Sequence, residues 1–294
     1  MLLCPYLRKL SFIMYKVRDM MTSPVNTISL GASVSQAADF MKKNNLGGLP
    51  VVEDNKLVGI ITSRDVRINH PNRIVADAMT KPVICCSPNS TTWDAAALMD
   101  EYKIERLPVV EQDKVVGIIT EVQMVKHISR LYDPLTETFN SEYIYQVAFN
   151  LLELGHKISV ILLDVDDFGE MNKRWGHVYG DKCLKKIASV LKSVTNSKND
   201  FFCRYGGDEF VIVTLRNSEE AMVMAKEVLD KISKIKLEYD LSITVSAGIS
   251  EFREKIHKTE GDYYDATQCL INEASLASTK AKRHKTRICF NIGA

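Results

Sequence analysis

The chain carries almost no net charge: 38 lysines and arginines stand against 37 aspartates and glutamates in 294 residues. It lacks the basic field that would draw it to nucleic acid or an anionic membrane surface, so any phosphate chemistry has to be local. A disulfide framework is missing as well. Seven cysteines (4, 85, 86, 183, 203, 269 and 289) form no Cys-x-x-Cys and are odd in number, which points to a reducing, cytoplasmic compartment. No apolar run approaches the roughly 18 residues of a membrane-inserted span. Met1 to Lys16 is apolar but broken by Pro5, Arg8 and Lys9; it reads as a loosely ordered tail rather than a signal peptide, with Met14 an alternative start. His70, His127, His156 and His257 show no metal-ligand spacing, and His177 between Gly176 and Val178 reads as a turn residue.

What is present is the composition of a folded protein, 46% hydrophobic and 26% charged, at a length that suits two domains. The first half contains a repeat. Met21-Thr-Ser-Pro24 recurs as Met79-Thr-Lys-Pro82, Leu49-Pro-Val-Val52 as Leu107-Pro-Val-Val110, and Val58-Gly-Ile-Ile-Thr62 as Val116-Gly-Ile-Ile-Thr120, at a constant offset of 58 residues. Each unit shows a proline turn, a helix (Ser33 to Asn44; Thr91 to Tyr102) with apolar residues at three and four spacing, two short strands and a closing helix. In the first copy the strands Leu49 to Glu53 and Lys56 to Thr62 meet at the turn Asp54-Asn55.

This β-α-β-β-α pattern, with Gly-Ile-Ile-Thr-Ser-Arg-Asp, resembles the CBS domain, a module usually found as a tandem pair. The resemblance implies an adenine-nucleotide site of the ATP, AMP or S-adenosylmethionine type. Gly59, Thr62 and Asp65 would form it in the first copy, with the hydroxyl on phosphate and the carboxylate on ribose. The second copy keeps Gly117 and Thr120 but has Gln123 where the aspartate stands. A neutral amide loses the charge-assisted acceptor, so the expectation is one good site in the first copy and a weak or empty one in the second. A bare dimerisation scaffold is the other reading of the same repeats.

No Gly/Ser linker separates the halves; a helix, Glu121 to Leu131, runs directly into Asp133-Pro-Leu-Thr136, which suits a lever between the two. Pro134 should end that helix and Asn140 cap the next. Beyond it, His156 to Val165 is a near-continuous apolar run, as in a strand buried on both faces, and it delivers Asp164 to its mouth. Helix Lys182 to Asn196 follows. Phe201 to Tyr205 and Glu209 to Leu215 read as a hairpin with Gly206-Gly207 at its tip. Helix Ser218 to Ile235, strand Leu241 to Ser250, helix Asp262 to Lys282 and strand Thr286 to Ile292 complete an α+β domain around one sheet. If Asp164 and Asp208 meet across neighbouring strands, their repulsion calls for a hard cation such as Mg²⁺ holding phosphates.

Asp133-Pro-Leu-Thr, Asp164-Val-Asp-Asp-Phe, Asn172, Gly180-Asp181, Arg204-Tyr-Gly-Gly-Asp-Glu-Phe210 and Thr244-Val-Ser-Ala-Gly248 occur in the order of the GGDEF family, the diguanylate cyclases, which the chain resembles from Leu131 to Ile292. The expected organisation is a tail (1–16), two CBS repeats (17–72 and 73–130, the second including the connecting helix) and a palm-like GGDEF domain (131–294) with a central sheet and surrounding helices. The resemblance implies two GTP condensed to cyclic di-GMP across a homodimer. Asp164, the Val165 carbonyl, Asp208 and Glu209 would hold Mg²⁺ or Mn²⁺, with Asp164, Asp208 and Glu209 the catalytic set and Glu209 a ligand or base. Asp167, Phe168 and Gly169 would cradle the phosphates beside Gly206 and Gly207, and Asn172 and Asp181 would read guanine.

Two departures stand out. Gly169 occupies the position of a family lysine, and the C-terminal basic motif aligns only loosely, placing Lys280 and His284 at the phosphates when registered on Leu276. The inhibitory product motif Arg-x-x-Asp falls on Ser197-Lys-Asn-Asp200, without its arginine, so feedback through that site is not expected. Two other outputs fit the same residues: a GTP or cyclic-dinucleotide sensor without turnover, and a cyclase making a different or mixed cyclic dinucleotide.

Overall fold

The computed structural model of the protein describes residues 15–196, 198–236, 242–252 and 260–291. The expected tail up to Met14, Ser197 of the product-site window, His257, and the outer ends of two expected strands, Leu241 and Ile292, lie outside these residues. The chain divides into two compact units, Met1–Ile128 and Ser129–Ala294.

In the first unit the two repeats fold alike. Strand β1 (Ile28–Ser29) and helix α1 (Val34–Asn44) precede the hairpin β2 (Gly48–Glu53) and β3 (Lys56–Thr62), followed by α2 (Ser63–Ile68) and α3 (Val75–Ala78). The second copy gives α4 (Thr92–Tyr102), the hairpin β4 (Arg106–Glu111) and β5 (Lys114–Thr120), and α5 (Glu121–Arg130). Among the described residues the sheet order is β1-β2-β3-β5-β4. Ser33 and Thr91 cap their helices through capping boxes with Gln36 and Asp94. The hairpin turns Asp54-Asn55 and Gln112-Asp113 all take positive φ, the geometry that matches strand twist in a two-residue loop. The repeats also interlock. Thr22 pairs with Ile118 and Thr80 with Ile60, so each Met-Thr-x-Pro segment lies beside the other copy's last strand. A side chain at Gly59 would run into Met79, and one at Gly117 into Met21. The glycines of the repeat motif therefore admit a methionine from the opposite copy.

The second unit begins with a short hairpin the sequence pattern did not reveal, β6 (Tyr132–Asp133) and β7 (Thr138–Phe139), then α6 (Ser141–Glu153), capped by Asn140. Strand β8 (Ser159–Val165) leads into α7 (Phe168–Trp175) and α8 (His177–Val194). The hairpin β9 (Asp200–Gly206) and β10 (Glu209–Thr214) follows, then α9 (Ser218–Ser233), β11 (Val245–Glu251), α10 (Glu260–His284) and β12 (Ile288–Phe290). The sheet runs β12-β11-β8-β10-β9-β7-β6, with β8 antiparallel to both neighbours in its interior. Ile161, Leu163 and Val165 of β8 pack with Phe210 and Ile212 of β10 and with Leu184, Ile187 and Leu191 of α8 in one core.

Helix α10 packs on β11 through a face of small residues, Ala274, Ala277, Ser278 and Ala281, all buried. Gly248 makes that approach possible, because a Cβ there would strike the Ala274 carbonyl and the Ser278 amide. Backbone cannot yield as a flexible side chain can. Gly248→Ala is therefore expected to cost this unit about 2–3 kcal/mol. Urea unfolding in a Trp93→Phe background, where Trp175 reports on the second unit alone, measures it; an unshifted midpoint would rule out this close packing.

Candidate active site

Strands β8 and β10 are in register with Glu209 opposite Asp164, and Ser246 of β11 opposite Asp164 on the other side. Asp208 stands at the hairpin tip, and its carbonyl accepts the Val165 N–H at 3.3 Å. The expected meeting of acids across neighbouring strands is present, although the residue facing Asp164 is Glu209, with Asp208 one step further into the turn. Burial raises the Asp164 carboxyl above its ordinary value, as do Asp208 and Asp166, while Lys282 opposes them. Burial, Asp164 and Asp208 raise Glu209. Neighbouring negative charge thus disfavours the ionised forms of Asp164 and Glu209, which suits the pair to a shared cation.

The tip itself is fastened from outside. Arg204 donates from Nε and Nη2 to the Gly207 carbonyl at 3.0 and 2.7 Å, and from Nη1 to both oxygens of Asp133 at 3.2 and 3.4 Å. Asp133 in turn accepts the Thr136 N–H at 2.9 Å and the Thr136 hydroxyl. Arg204 and Asp133 thus tie the Asp-Pro-Leu-Thr turn to the acid-bearing hairpin, a role their places in the two sequence motifs did not by themselves disclose. Of the two glycines, only Gly207 takes a left-handed φ, 47°; Gly206 closes the strand opposite Glu209. Both are exposed with open space around them. Asp166 is fixed by a 2.8 Å bond from the Ser246 hydroxyl.

The segment after β8, to which the sequence pattern assigned no element, is helix α7. Its N-cap, Asp167, is left-handed at φ 53° and makes no side-chain capping bond. The first-turn N–H groups at Phe168 and Gly169 therefore end the helix without a side-chain partner, which suits an anion. Gly169 has free space where a Cβ would be, so sterics do not demand glycine there. Further along α7, the Asn172 side chain presses against Gly180 of α8, beside Asp181. Its Oδ1 is buried without a hydrogen-bond partner. A buried acceptor left unpaired is costly, and it lies against the residue that precedes Asp181 in the chain.

The C-terminal cations differ in what they reach. Lys282, not Lys280 or His284, reaches the acids: its ammonium lies 2.6 Å from Asp164 Oδ1 and 3.3 Å from the Val165 carbonyl. Lys280 and His284 are exposed. Leu276 is 52% exposed, whereas the packed face is the Ala274–Ala281 stripe, which sets Lys282 one turn past Ser278. Lys285 takes a left-handed φ of 54°, marking the end of the helix where a glycine is usual.

In the first unit, Thr62 and Asp65 form a capping box: Asp65 Oδ2 accepts the Thr62 amide at 2.8 Å and its hydroxyl at 2.7 Å. Thr120 and Gln123 repeat it, with Gln123 Oε1 accepting at 2.9 Å from both donors and Nε2 donating to Thr22 at 2.6 Å. A cavity of about 330 Å³ opens between the copies, lined by Thr22, Asn26, Gly47 and Gly48 of the first and by Arg106 and the motif residues Thr120 and Gln123 of the second, the copy expected to be weak. The Arg106 side chain lies over Gly47 and Gly48, where a Cβ would meet it.

The palm-like sheet with its acid-bearing hairpin is the architecture of a nucleotidyl-cyclase domain. The family description "Diguanylate cyclase, GGDEF domain" matches residues 130–287, and "CBS domain" matches 17–69 and 75–130. The chain belongs to the GGDEF family and carries a CBS pair ahead of that domain. It is similar to the diguanylate cyclase DosC of Escherichia coli (strain K12), with 37% identity over 129 residues, 41% of this chain but only 28% of that protein's length. It is also similar to the CBS domain-containing protein YhcV of Bacillus subtilis (strain 168), with 36% identity over 112 residues, covering 36% of this chain and 80% of that one. The crystal structure of the coiled coil and GGDEF domain of DgcB from Caulobacter crescentus in complex with c-di-GMP shares the fold, with TM-score 0.50, 21% identity, and coverage of 67% of this chain and 96% of that one. Among the described residues no helix is long and apolar enough to cross a membrane.

The product-site window holds a different structure. Asp200 accepts from Thr214 Oγ1 at 2.7 Å, Arg216 Nε and Nη2 at 3.0 and 3.1 Å, and the Asn196 N–H at 2.8 Å. Burial alone would raise its carboxyl, but the bonds from Arg216, Asn196 and Thr214 outweigh it and hold it below the usual range. A depressed carboxylate stabilises the fold above its unfolded value, near pH 4, and loses that contribution as pH falls through the lower folded value. Asp200→Asn is expected to cost about 2 kcal/mol at pH 7, discounted because Arg216 is a third exposed. Urea unfolding between pH 7 and 3 should show the gap narrowing only below about pH 4; a gap independent of pH would contradict the ion pair.

Proposed function

We propose that the chain is a diguanylate cyclase, condensing two GTP into cyclic di-GMP and two pyrophosphates, with an adenine nucleotide at the CBS pair as its regulator. The observation that carries the reading is the register of Asp164 opposite Glu209 at the hairpin mouth, with Asp208 at the tip. Among the described residues no three acidic, histidine or cysteine side chains alone are close enough to hold an ion. The donor set nevertheless fits a hard cation completed by the Val165 carbonyl and ligand phosphates, and the Lys282 ammonium already stands on two of those oxygens. Mg²⁺ or Mn²⁺ bound there would neutralise triphosphate charge and make the ribose hydroxyl a better nucleophile.

The rest is the work of the chain. The α7 N-terminus at Asp167, Phe168 and Gly169 receives phosphate oxygens, and the exposed Gly206 and Gly207 allow the substrate to approach the main chain. Asp181 accepts from guanine N1–H and the exocyclic amine, a donor pair adenine lacks, and the unpaired Asn172 Oδ1 offers a further acceptor. With one GTP per domain and two copies face to face, each 3′-oxygen bonds to the other's α-phosphorus. The α–β bridging bond breaks, pyrophosphate leaves, and Glu209 takes the hydroxyl proton. A single copy has no acceptor opposite it, so activity requires a homodimer.

Incubation of purified protein with GTP and Mg²⁺, read by mass, is expected to yield cyclic di-GMP, and Asp208→Ala to reduce the rate at least about 100-fold. No product with or without ATP, AMP or S-adenosylmethionine would end the reading; product persisting in Asp208→Ala would end the site assignment. For the regulatory ligand, Thr120 and Gln123 in the lining of the shared cavity support the second copy's motif, with Arg106 toward phosphate. Calorimetry should show Arg106→Gln weakening AMP by about tenfold while leaving adenosine unchanged. Loss on Asp65→Asn alone would return the site to the first copy.

A further inference from the structure

Lys282 touches the same two oxygens, Asp164 Oδ1 at 2.6 Å and the Val165 carbonyl at 3.3 Å, that a divalent ion would need. The backbone behind it is closely packed, since α10 lies so near β11 at Gly248 that a Cβ there would meet the Ala274 carbonyl and the Ser278 amide. The head is not held in the same way, because a lysine ammonium rides on a flexible four-carbon stem and this side chain is 32% exposed. Asp164, Asp166, Asp208 and Glu209 gather around the strand mouth, and Lys282 is the cation coupled to both Asp164 and Glu209.

We propose that the Lys282 ammonium is the built-in counter-cation of this acid cluster: it excludes a divalent ion from Asp164 until a triphosphate draws it away, so that nucleotide and metal bind cooperatively. The inference rests on the cyclase reading of the site and adds the order in which it fills. Without nucleotide, an incoming ion has to displace the ammonium and then lie beside a like charge. The triphosphate supplies other anionic oxygens to the ammonium and leaves the acids to the metal. By linkage, whatever metal gains from nucleotide, nucleotide gains from metal.

The test uses the full chain and reads binding rather than turnover. Mn²⁺ affinity without nucleotide, followed by the loss of the free-ion paramagnetic resonance signal, is expected to tighten about tenfold in Lys282→Gln and to stay weak in Lys282→Arg, which keeps the charge. Asp164→Asn added to Lys282→Gln should remove the gain. Conversely, 3′-deoxy-GTP in excess EDTA should bind Lys282→Gln about fivefold more weakly than wild type. A residue of purely structural importance would not move the two ligands in opposite directions. Equal Mn²⁺ affinity in wild type and Lys282→Gln, or a gain that survives Asp164→Asn, overturns the proposal. Cyclic di-GMP production by the wild type separates that failure from failure of the cyclase reading itself.

Discussion

Three carboxylates at the mouth of two antiparallel strands set the terms for the second unit. Asp164 and Glu209 face each other because β8 and β10 are locked by core residues on both sides of the pair, and a slip of one residue would turn those acids to the opposite face. Apolar packing thus holds charges where they repel. Lys282 offsets that repulsion in the structure, and everything that fixes Lys282, from the small-residue face of α10 to the bare Cα of Gly248, serves the same site. The Arg204 bridge does for the hairpin tip what α10 does for the lysine.

The first unit follows a different logic. Its helices are capped by threonine and acid or amide pairs, so the motif residues Thr62, Asp65, Thr120 and Gln123 have a structural task whatever they bind. The two copies hold each other through Met21 on Gly117 and Met79 on Gly59, which makes the pair one folded object. Their difference lies in what surrounds the cavity. Gln123 reaches across to Thr22 and Arg106 lies over Gly47 and Gly48, so the motif with the amide faces the shared cavity with a cation beside it.

Much of this was legible in the chain. The duplication, the helix caps at Ser33 and Asn140, the buried strand ending at Asp164 and the acid-bearing hairpin follow from spacing, periodicity and turn chemistry, which are local properties. Helix α7 was missed because its eight residues sit inside a motif dense with charge and bounded by a glycine, so its periodicity is too short to register. That Lys282 is the cation meeting Asp164 was not legible, because registering the motif on Leu276 does not say which side of the helix packs, and that leucine faces solvent. Burial is a property of the neighbours, and a single helix of alternating small and charged residues does not say which side they occupy.

By itself, then, the sequence determined the kind of protein: two repeats and a palm-like domain with its acids, glycines and base-reading candidates in place, because those depend on residue type and short-range spacing. Only the tertiary structure decided which cation meets Asp164, that Asp200 is bound to Arg216, and which motif residues line the cavity between the repeats. Each of those pairs residues far apart in the chain, and which of them meet is settled by how the helices pack against the sheet.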